Sequence, residues 1–249
     1  MKNLKVTIAY NGTVYNGYQS QPNGNTVQDM LQKSMSALLN QPVSVNGCSR
    51  TDAGVHAREF VLNAPYDDSL SSITPDSFVR AMNGSLPDDI AVLSCEYAPD
   101  DFHARFCTKG KEYLYLLDTS KVRNVFTQNL ALHYPYEIDT AKLREAAAVI
   151  VGKHDFSAFC KAEAKEHLKS TVRTVTDIRI EKNQDMTEFY ISGDGFLHNM
   201  VRIIVGTLIY VNENKRNVED IKEALDTGNR EKAGKTLPPY GLYLNKVFY

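Results

Sequence analysis

The chain has 249 residues, of which 43% are hydrophobic and 23% charged, as in an ordinary globular protein. Its 28 basic and 30 acidic residues give a net charge of −2, which excludes an indiscriminate nucleic-acid binder held by overall positive charge. If RNA is the partner, the basic residues must be concentrated on one face. No apolar run is long enough to span a membrane and no signal-peptide core is present, so we expect a cytoplasmic protein.

The cysteines and histidines show no metal-binding or redox spacing. The cysteines stand singly, without a C-x-x-C pair, so we expect free thiols; they are Cys48, Cys95, Cys107 and Cys160. The six histidines form neither H-x-x-x-H nor H-E-x-x-H, and no glycine-rich nucleotide loop is present. The sequence therefore predicts a reaction that uses neither a metal nor a nucleotide cofactor.

The first half of the chain is predicted to form strands and one helix. Residues 5–10 alternate as a strand and end at an Asn-Gly turn signal. A capping-box-like start at Thr26 precedes apolar residues that recur at helical spacing as far as Leu39. Further short strands are predicted at residues 43–45, 60–64 and 90–96.

The second half mixes strands with three helices. Strands are predicted at residues 112–118, 173–182, 188–194 and 242–247, and helices at 141–151, 197–211 and 217–227. Gly152 and Gly228 are the expected helix-terminating glycines. Regular βαβ alternation is absent, which favours an α+β fold with a mixed, largely antiparallel sheet. We expect two similar lobes, residues 1–106 and 107–249.

The sequence R-T-D-A-G-V-H at residues 50–56 combines a cation, a hydroxyl, a carboxylate, a glycine and an imidazole. A site that holds one carboxylate ionised and in a fixed orientation would use all of these groups. Arg50 would keep Asp52 charged, and Gly54 would let the backbone bend. A structured turn with a salt bridge explains the same mixture equally well.

Arg202 lies in the middle of the apolar helix predicted at residues 197–211. Burying a guanidinium without a partner is costly, so Arg202 must meet a carboxylate or lie at the edge of a cleft. One interpretation is a purely structural salt bridge. The other is that Arg202 holds a catalytic aspartate, for which Asp52 is the candidate.

Aromatic side chains in the middle of the chain offer a stacking surface. Tyr113 and Tyr115 lie on one face of a predicted strand, where they either pack in the core or stack on a base that has left its helix. Just upstream, F-H-A-R at residues 102–105 adds an aromatic ring and the cation of Arg105.

Basic residues recur every four positions at Lys161, Lys165, Lys169 and Arg173. If residues 161–170 are helical, the three lysines form a stripe that either contacts phosphates or simply faces solvent.

Eight ordered blocks make the chain resemble the TruA family of tRNA pseudouridine synthases over its whole length, and R-T-D-A-G-V-H-A is highly specific. The blocks are Y-x-G-T-x-Y-x-G-x-Q-x-Q at 10–21, T-V-Q at 26–28, R-T-D-A-G-V-H-A at 50–57, F-H-A-R at 102–105, K-x-Y-x-Y at 111–115, H-D-F-S-A-F at 154–159, F-L-x-x-M-V-R-x-I-V-G at 196–206 and G-L-Y-L at 241–244.

The resemblance implies a two-lobed α+β enzyme with the pseudouridine synthase fold, acting as a homodimer with a basic RNA-binding cleft between the lobes. It implies isomerisation of uridine to pseudouridine in the tRNA anticodon stem-loop, at positions 38, 39 and 40, without a cofactor or metal. Asp52 corresponds to the catalytic aspartate and Tyr113 to the substrate-contacting tyrosine. The implied substrate-binding set also includes Arg50, Arg202, His56 and Arg105.

Two residues depart from the family pattern: Ser49 stands where glycine is usual, and Tyr18 where tryptophan is usual. They leave open a divergent paralogue with altered tRNA specificity. A non-catalytic tRNA-binding protein on the same fold is a further alternative. An aspartate-dependent hydrolase would need a second carboxylate near Asp52, and the nearest acid in sequence, Glu59, directly precedes an apolar strand.

Overall fold

The computed structural model describes residues 1–161 and 168–249, which divide into two compact units. The first unit comprises Met1–Lys109 together with Tyr243–Tyr249, and the second comprises Gly110–Leu242. This division differs from the expected lobes, 1–106 and 107–249, chiefly at the end of the chain. The last strand joins the first unit because it pairs with a strand of that unit, a contact between residues far apart in sequence.

Strands and helices occur in both units without regular alternation. In the described part of the chain they are β1 (Lys2–Tyr10), β2 (Asn46–Gly47), β3 (His56–Tyr66), β4 (Ile90–Ala98), β5 (Gly110–Asp118), β6 (Leu132–His133), β7 (Gly152–Asp155), β8 (Val172–Asn183), β9 (Met186–Gly193) and β10 (Leu242–Phe248). The longer helices are α1 (Val27–Leu39), α2 (Pro75–Ser85), α3 (Thr140–Ala148), α4 (Met200–Asn212) and α5 (Val218–Thr227).

The sheet of the first unit is built around β1. This strand pairs antiparallel with β4 on one side and with β3 on the other. On its outer side β3 pairs antiparallel with β2 and, nearer its start, in parallel with β10. Because side chains alternate between the faces of a strand, Leu4, Val6 and Ile8 point together into the core, where they are fully buried.

Two helices complete the first unit. The hydroxyl of Thr26 accepts the backbone N–H of Asp29 and so caps α1, as predicted from the sequence. Helix α2 was not predicted, although Thr74 caps it in the same way and Pro75 occupies its first position. Its Phe78 and Met82, four positions apart, are fully buried, and the helix packs against β4.

The sheet of the second unit has the order β5-β9-β8-β7, antiparallel throughout, with β6 added in parallel to β5. Helix α4 forms the core of this unit, since every residue from Ile203 to Ile209 is buried. Helix α3 contacts both α4 and β8. Asn217 caps α5 in a capping box with Asp220, and the predicted terminus Gly228 ends that helix at φ +70°.

The α+β fold with a largely antiparallel sheet is confirmed, with differences at element ends. The strand expected at 43–45 is wrong: pairing occurs instead at Asn46–Gly47. Helix α3 ends at Ala148, before residue 151, and α4 begins at Met200, after residue 197. Hydrophobic spacing continues past both ends, but the backbone turns there, so periodicity alone overestimates the two helices.

No helix in the described ranges is long and apolar enough to cross a membrane. Among the same residues, histidine, cysteine and acidic side chains form no cluster that could hold a metal ion.

Candidate active site

Asp52 lies in a tight turn between β2 and β3. The backbone N–H of Val55 donates to the carbonyl oxygen of Asp52 at 3.1 Å and closes the turn. Gly54 has φ +77°, a left-handed conformation in which a side chain would be strained. Asp52 is half-buried and the neighbouring Arg50 is exposed. The turn therefore presents a carboxylate from a defined backbone rather than from a mobile loop.

Two glycines of the 10–21 block press against the backbone of this turn. A Cβ atom on Gly12 would lie 1.9 Å from the carbonyl oxygen of Val55, and one on Gly17 would lie 2.6 Å from that of Thr51. The backbone N–H of Tyr18 also donates to the Thr51 carbonyl at 3.2 Å. The backbone of the 10–21 block therefore packs directly against the backbone of the 50–57 block.

Side chains anchor both ends of the turn. The hydroxyls of Tyr10 and Thr51 lie 2.8 Å apart in the buried interior. At the other end, Nδ1 of His56 accepts the backbone N–H of Gly12 at 3.0 Å, so Nδ1 carries no proton. The His56 ring stacks on Tyr243 of β10, with centroids 4.6 Å apart.

His56 is only 1% exposed, and its contacts suit it to hold the turn. The predicted role of His56 in direct substrate contact stays a prediction, although the burial of its ring favours a positioning role. Burial raises the pKa of its stacking partner Tyr243 to about 12, an effect that the nearby charge of Arg58 partly opposes.

Arg50 and Arg105 line one open depression of about 200 Å³ in the first unit. Both side chains are exposed, so their charges are accessible to a ligand. The rest of the rim includes Ser49, His103 and Phe106. Two guanidinium groups on an open, polar surface suit an anionic group such as a phosphate.

Tyr18, which also lines this depression, is buried and packs as a core residue. Its ring stacks on Phe60 with centroids 4.1 Å apart, and a Cβ atom on Gly47 would lie 2.5 Å from it. The hydroxyl has no hydrogen-bond partner within the described ranges, and burial raises the pKa of Tyr18. The ring therefore serves as a packing surface beneath the depression.

In the second unit, Tyr113 and Tyr115 lie in the buried strand β5. The Tyr113 ring meets Phe196 edge-on, with centroids 5.1 Å apart and planes at 81°. Tyr115 donates its hydroxyl to the carbonyl oxygen of Pro238 at 2.8 Å. Burial raises the pKa of Tyr115, and the nearby charge of Arg202 partly opposes that shift.

Arg202 is half-buried near the start of α4, and two atoms of its guanidinium group donate hydrogen bonds. Its Nε donates to the carbonyl oxygen of Leu237 at 2.6 Å, and its Nη1 donates to Oδ1 of Asn199 at 2.7 Å. Asn199 caps the helix at φ +65°, a conformation that asparagine tolerates better than most residues. Arg202 and Asp52 belong to different units, and their pairing stays a prediction.

The segment that carries Leu237 is docked on α4 by close backbone contact. A Cβ atom on Gly206 would lie 1.9 Å from the carbonyl oxygen of Lys235. The backbone N–H of Gly234 donates to the hydroxyl of Thr207 at 2.8 Å. The glycine in the 196–206 block is therefore required to bring the Leu237 carbonyl to Arg202.

The predicted lysine stripe falls mostly on or beside the gap in the described ranges. Lys165 lies outside the described residues, while Lys161 and Lys169 are exposed. Arg173 donates to the carbonyl oxygens of Ser170 and Val172, so its guanidinium is at least partly engaged with the backbone.

Comparison with known proteins decides the family. A family model described as tRNA pseudouridine synthase matches residues 6–107 and 146–249. The chain belongs to the tRNA pseudouridine synthase family.

The matched segments contain five of the six predicted site residues, Arg50, Asp52, His56, Arg105 and Arg202, whereas Tyr113 lies between them. Curated relatives are similar over the whole chain. "tRNA pseudouridine synthase A 2" of Clostridium perfringens (strain 13 / Type A) is 43% identical over 249 residues, covering 100% of both chains. "tRNA pseudouridine synthase A" of Geobacillus sp. (strain WCH70) is 42% identical, covering 100% of this chain and 98% of the relative.

Family membership confirms the resemblance predicted from the eight blocks. Several residues that build the site were missed by the sequence analysis, among them Tyr10, Asn199 and Tyr243. Tyr10 and Tyr243 are specified in the quoted blocks, so the blocks themselves were the available signal, whereas Asn199 stands at an unspecified position of the 196–206 block. The block does not show that Tyr243 contacts His56, because that contact arises from the pairing of β10 with β3.

Proposed function

We propose that the protein isomerises uridine to pseudouridine in the anticodon stem-loop of tRNA, at positions 38, 39 and 40. It acts in the cytoplasm, as a homodimer, and without a cofactor. The observation that carries this proposal is the Asp52 turn, whose backbone is fixed by Gly12, Gly17 and Gly54 in a chain of the tRNA pseudouridine synthase family. The names of the full-length relatives support tRNA as the substrate.

The reaction needs one ionised carboxylate beside the target nucleotide. The N1–C1′ bond of uridine breaks, the uracil turns, and a C5–C1′ bond forms; the C5 hydrogen then leaves as a proton, and N1 gains one. Asp52 assists by attacking C1′ or C6, or by removing the proton on C2′. All three routes require a charged carboxylate that is held in place, and the turn fixes the backbone from which Asp52 extends.

The other predicted residues act around this carboxylate. The target nucleotide must leave its stack, at a cost of a few kcal/mol, and Tyr113 stacks on the displaced base. Arg50 and Arg105 contact the RNA backbone, and Arg202 favours the charged form of Asp52. We assign His56 to positioning the turn through Gly12, in place of direct contact with the substrate.

A tritium-release assay tests the proposal. Transfer RNA labelled with tritium at C5 of uridine should release label to water when the native protein is added, and sequencing should place pseudouridine at positions 38, 39 and 40. Binding of tRNA without release would favour the non-catalytic alternative. Release with pseudouridine at other positions would favour the divergent paralogue.

A further inference from the structure

Two buried asparagines link strands β1 and β3 to the turn that carries Arg105. Nδ2 of Asn63 donates to Oδ1 of Asn3 at 3.1 Å, and Oδ1 of Asn63 accepts the backbone N–H of Ala104 at 2.9 Å. Nδ2 of Asn3 in turn donates to the carbonyl oxygens of Pro99 and Phe102, at 3.1 and 3.0 Å. Asn3 and Asn63 are 5% and 3% exposed, so these bonds form away from water.

The other side of Ala104 is held as well. Its carbonyl oxygen accepts the hydroxyl of Tyr249 at 2.7 Å and that of Thr108 at 2.8 Å. Ala104 itself is fully buried. The N–H and the carbonyl group of Ala104 are therefore both hydrogen-bonded to side chains. These bonds fix the direction of the backbone toward His103 on one side and Arg105 on the other.

The fixed turn places charged and aromatic groups on the depression described above. Arg105, His103 and Phe106 all line it, as do Ser49 and Arg50 just before Asp52 in the chain. Nδ1 of His103 accepts the backbone N–H of Arg105 at 3.2 Å, which orders the turn further. Two turns that are far apart in the sequence thus each bring one arginine to the same depression.

We infer that Asn63 is a positioning residue, which holds Arg105 against one phosphate of the RNA through the amide pair Asn3–Asn63. This inference rests on the proposed function and adds the phosphate subsite and the residues that build it. Burying an asparagine amide is costly unless it is hydrogen-bonded, and here each bond ends on the turn or on the partner amide. Arginine binds phosphate in preference to a neutral group because its planar donors match two phosphate oxygens.

A double-mutant cycle separates positioning from general stability. Arg105→Ala should raise KM for tRNA about tenfold. It should also make the fall of log affinity with log salt less steep by about 0.7–1, because one phosphate contact is lost. Asn63→Ala should raise KM about fivefold, reduce the slope in the same direction and leave kcat at saturating tRNA within about twofold. In the Arg105→Ala background, Asn63→Ala should raise KM no further.

Asn83→Ala is the matched control. Asn83 also spans two elements through its amide, donating to Val92 at 2.9 Å and accepting from it at 2.7 Å, but it does not line the depression. This variant should lose stability without any change in the salt slope. If Asn63→Ala fails to fold, Tyr249→Phe removes a single hydroxyl from the same turn and should give a smaller shift in KM and slope.

The inference is overturned if the effects of Asn63→Ala and Arg105→Ala on KM add fully, or if neither Asn63→Ala nor Tyr249→Phe changes the salt slope. Either result would make the amide pair purely structural. Failure of the proposed function looks different, because the native protein itself would then release no tritium from any tRNA.

Discussion

The hydroxyl groups of Tyr10 and Thr51 lie 2.8 Å apart, which ties the end of β1 to the residue before Asp52. Because the pair is buried, neither group can exchange this bond for one to water. The position of the carboxylate therefore depends on a hydrogen bond between residues 41 positions apart in sequence.

Tyr10→Phe should destabilise the fold by about 1–3 kcal/mol, because the Thr51 hydroxyl is left buried with one bond fewer. It should also lower kcat about tenfold, since a small displacement of the reacting group is costly. Denaturant unfolding and tritium release measure the two effects. Tyr18→Phe is the control, because the Tyr18 hydroxyl is buried without a partner in the described ranges and its removal should cost nothing. Equal effects of the two substitutions would contradict the prediction.

Asp52→Asn should lower kcat by at least about a hundredfold while tRNA affinity changes little, because the amide keeps the shape of the side chain and removes its charge. Glu59→Gln, an exposed acid on β3, should leave turnover unchanged. Single-turnover tritium release and a filter-binding titration measure the two quantities. Turnover of Asp52→Asn within tenfold of the native protein would remove Asp52 from the catalytic role.

Tyr113→Phe should retain stacking on the displaced base, whereas Tyr113→Ala should lose about 1–3 kcal/mol of it. We therefore expect kcat/KM to fall much further in the alanine variant. Tyr136→Ala, which removes a tyrosine that is 64% exposed in the same unit, is the control for loss of a ring. Similar kinetics for Tyr113→Phe and Tyr113→Ala would mean that the ring only packs against Phe196.

Asn199→Gly should lower kcat, because it keeps the left-handed backbone at this position but removes the acceptor that holds Nη1 of Arg202. Asn214→Gly is a matched control at another left-handed asparagine, φ +56°, in the same unit. Arg202→Met gives the reference for complete loss of the guanidinium. An Asn199→Gly variant as active as the native protein would show that the Leu237 carbonyl alone orients Arg202.

Alkaline stability should depend on Tyr243, whose pKa burial raises to about 12. Its unfolded pKa is about 10, so its contribution is complete below pH 10 and is lost as the pH rises toward 12. Tyr243→Phe lacks this ionisation, and its free energy of unfolding should fall less steeply over that interval. Urea unfolding at several pH values measures both slopes. Parallel curves for the two proteins would contradict the assignment.

The sequence by itself determined the family, the residue types of the site and the elements with strong local signals. The Asn217 capping box, the Gly228 terminus and the alternation of β1 depend only on neighbouring residues, so they can be recognised without the fold. The R-T-D-A-G-V-H block likewise selected Asp52 as the candidate catalytic residue, a role that stays a prediction.

Only the tertiary structure decided what surrounds those residues. The stacking of Tyr243 on His56, the bonding of Asn63 to Ala104 and the contact of Gly12 with Val55 each join segments that are distant in sequence. Periodicity and turn signals report local backbone preference, whereas these contacts arise from strand pairing and close packing between segments. That is why β10 was predicted as a strand but not as part of the first unit, and why a role in direct contact was expected for a histidine that the fold buries.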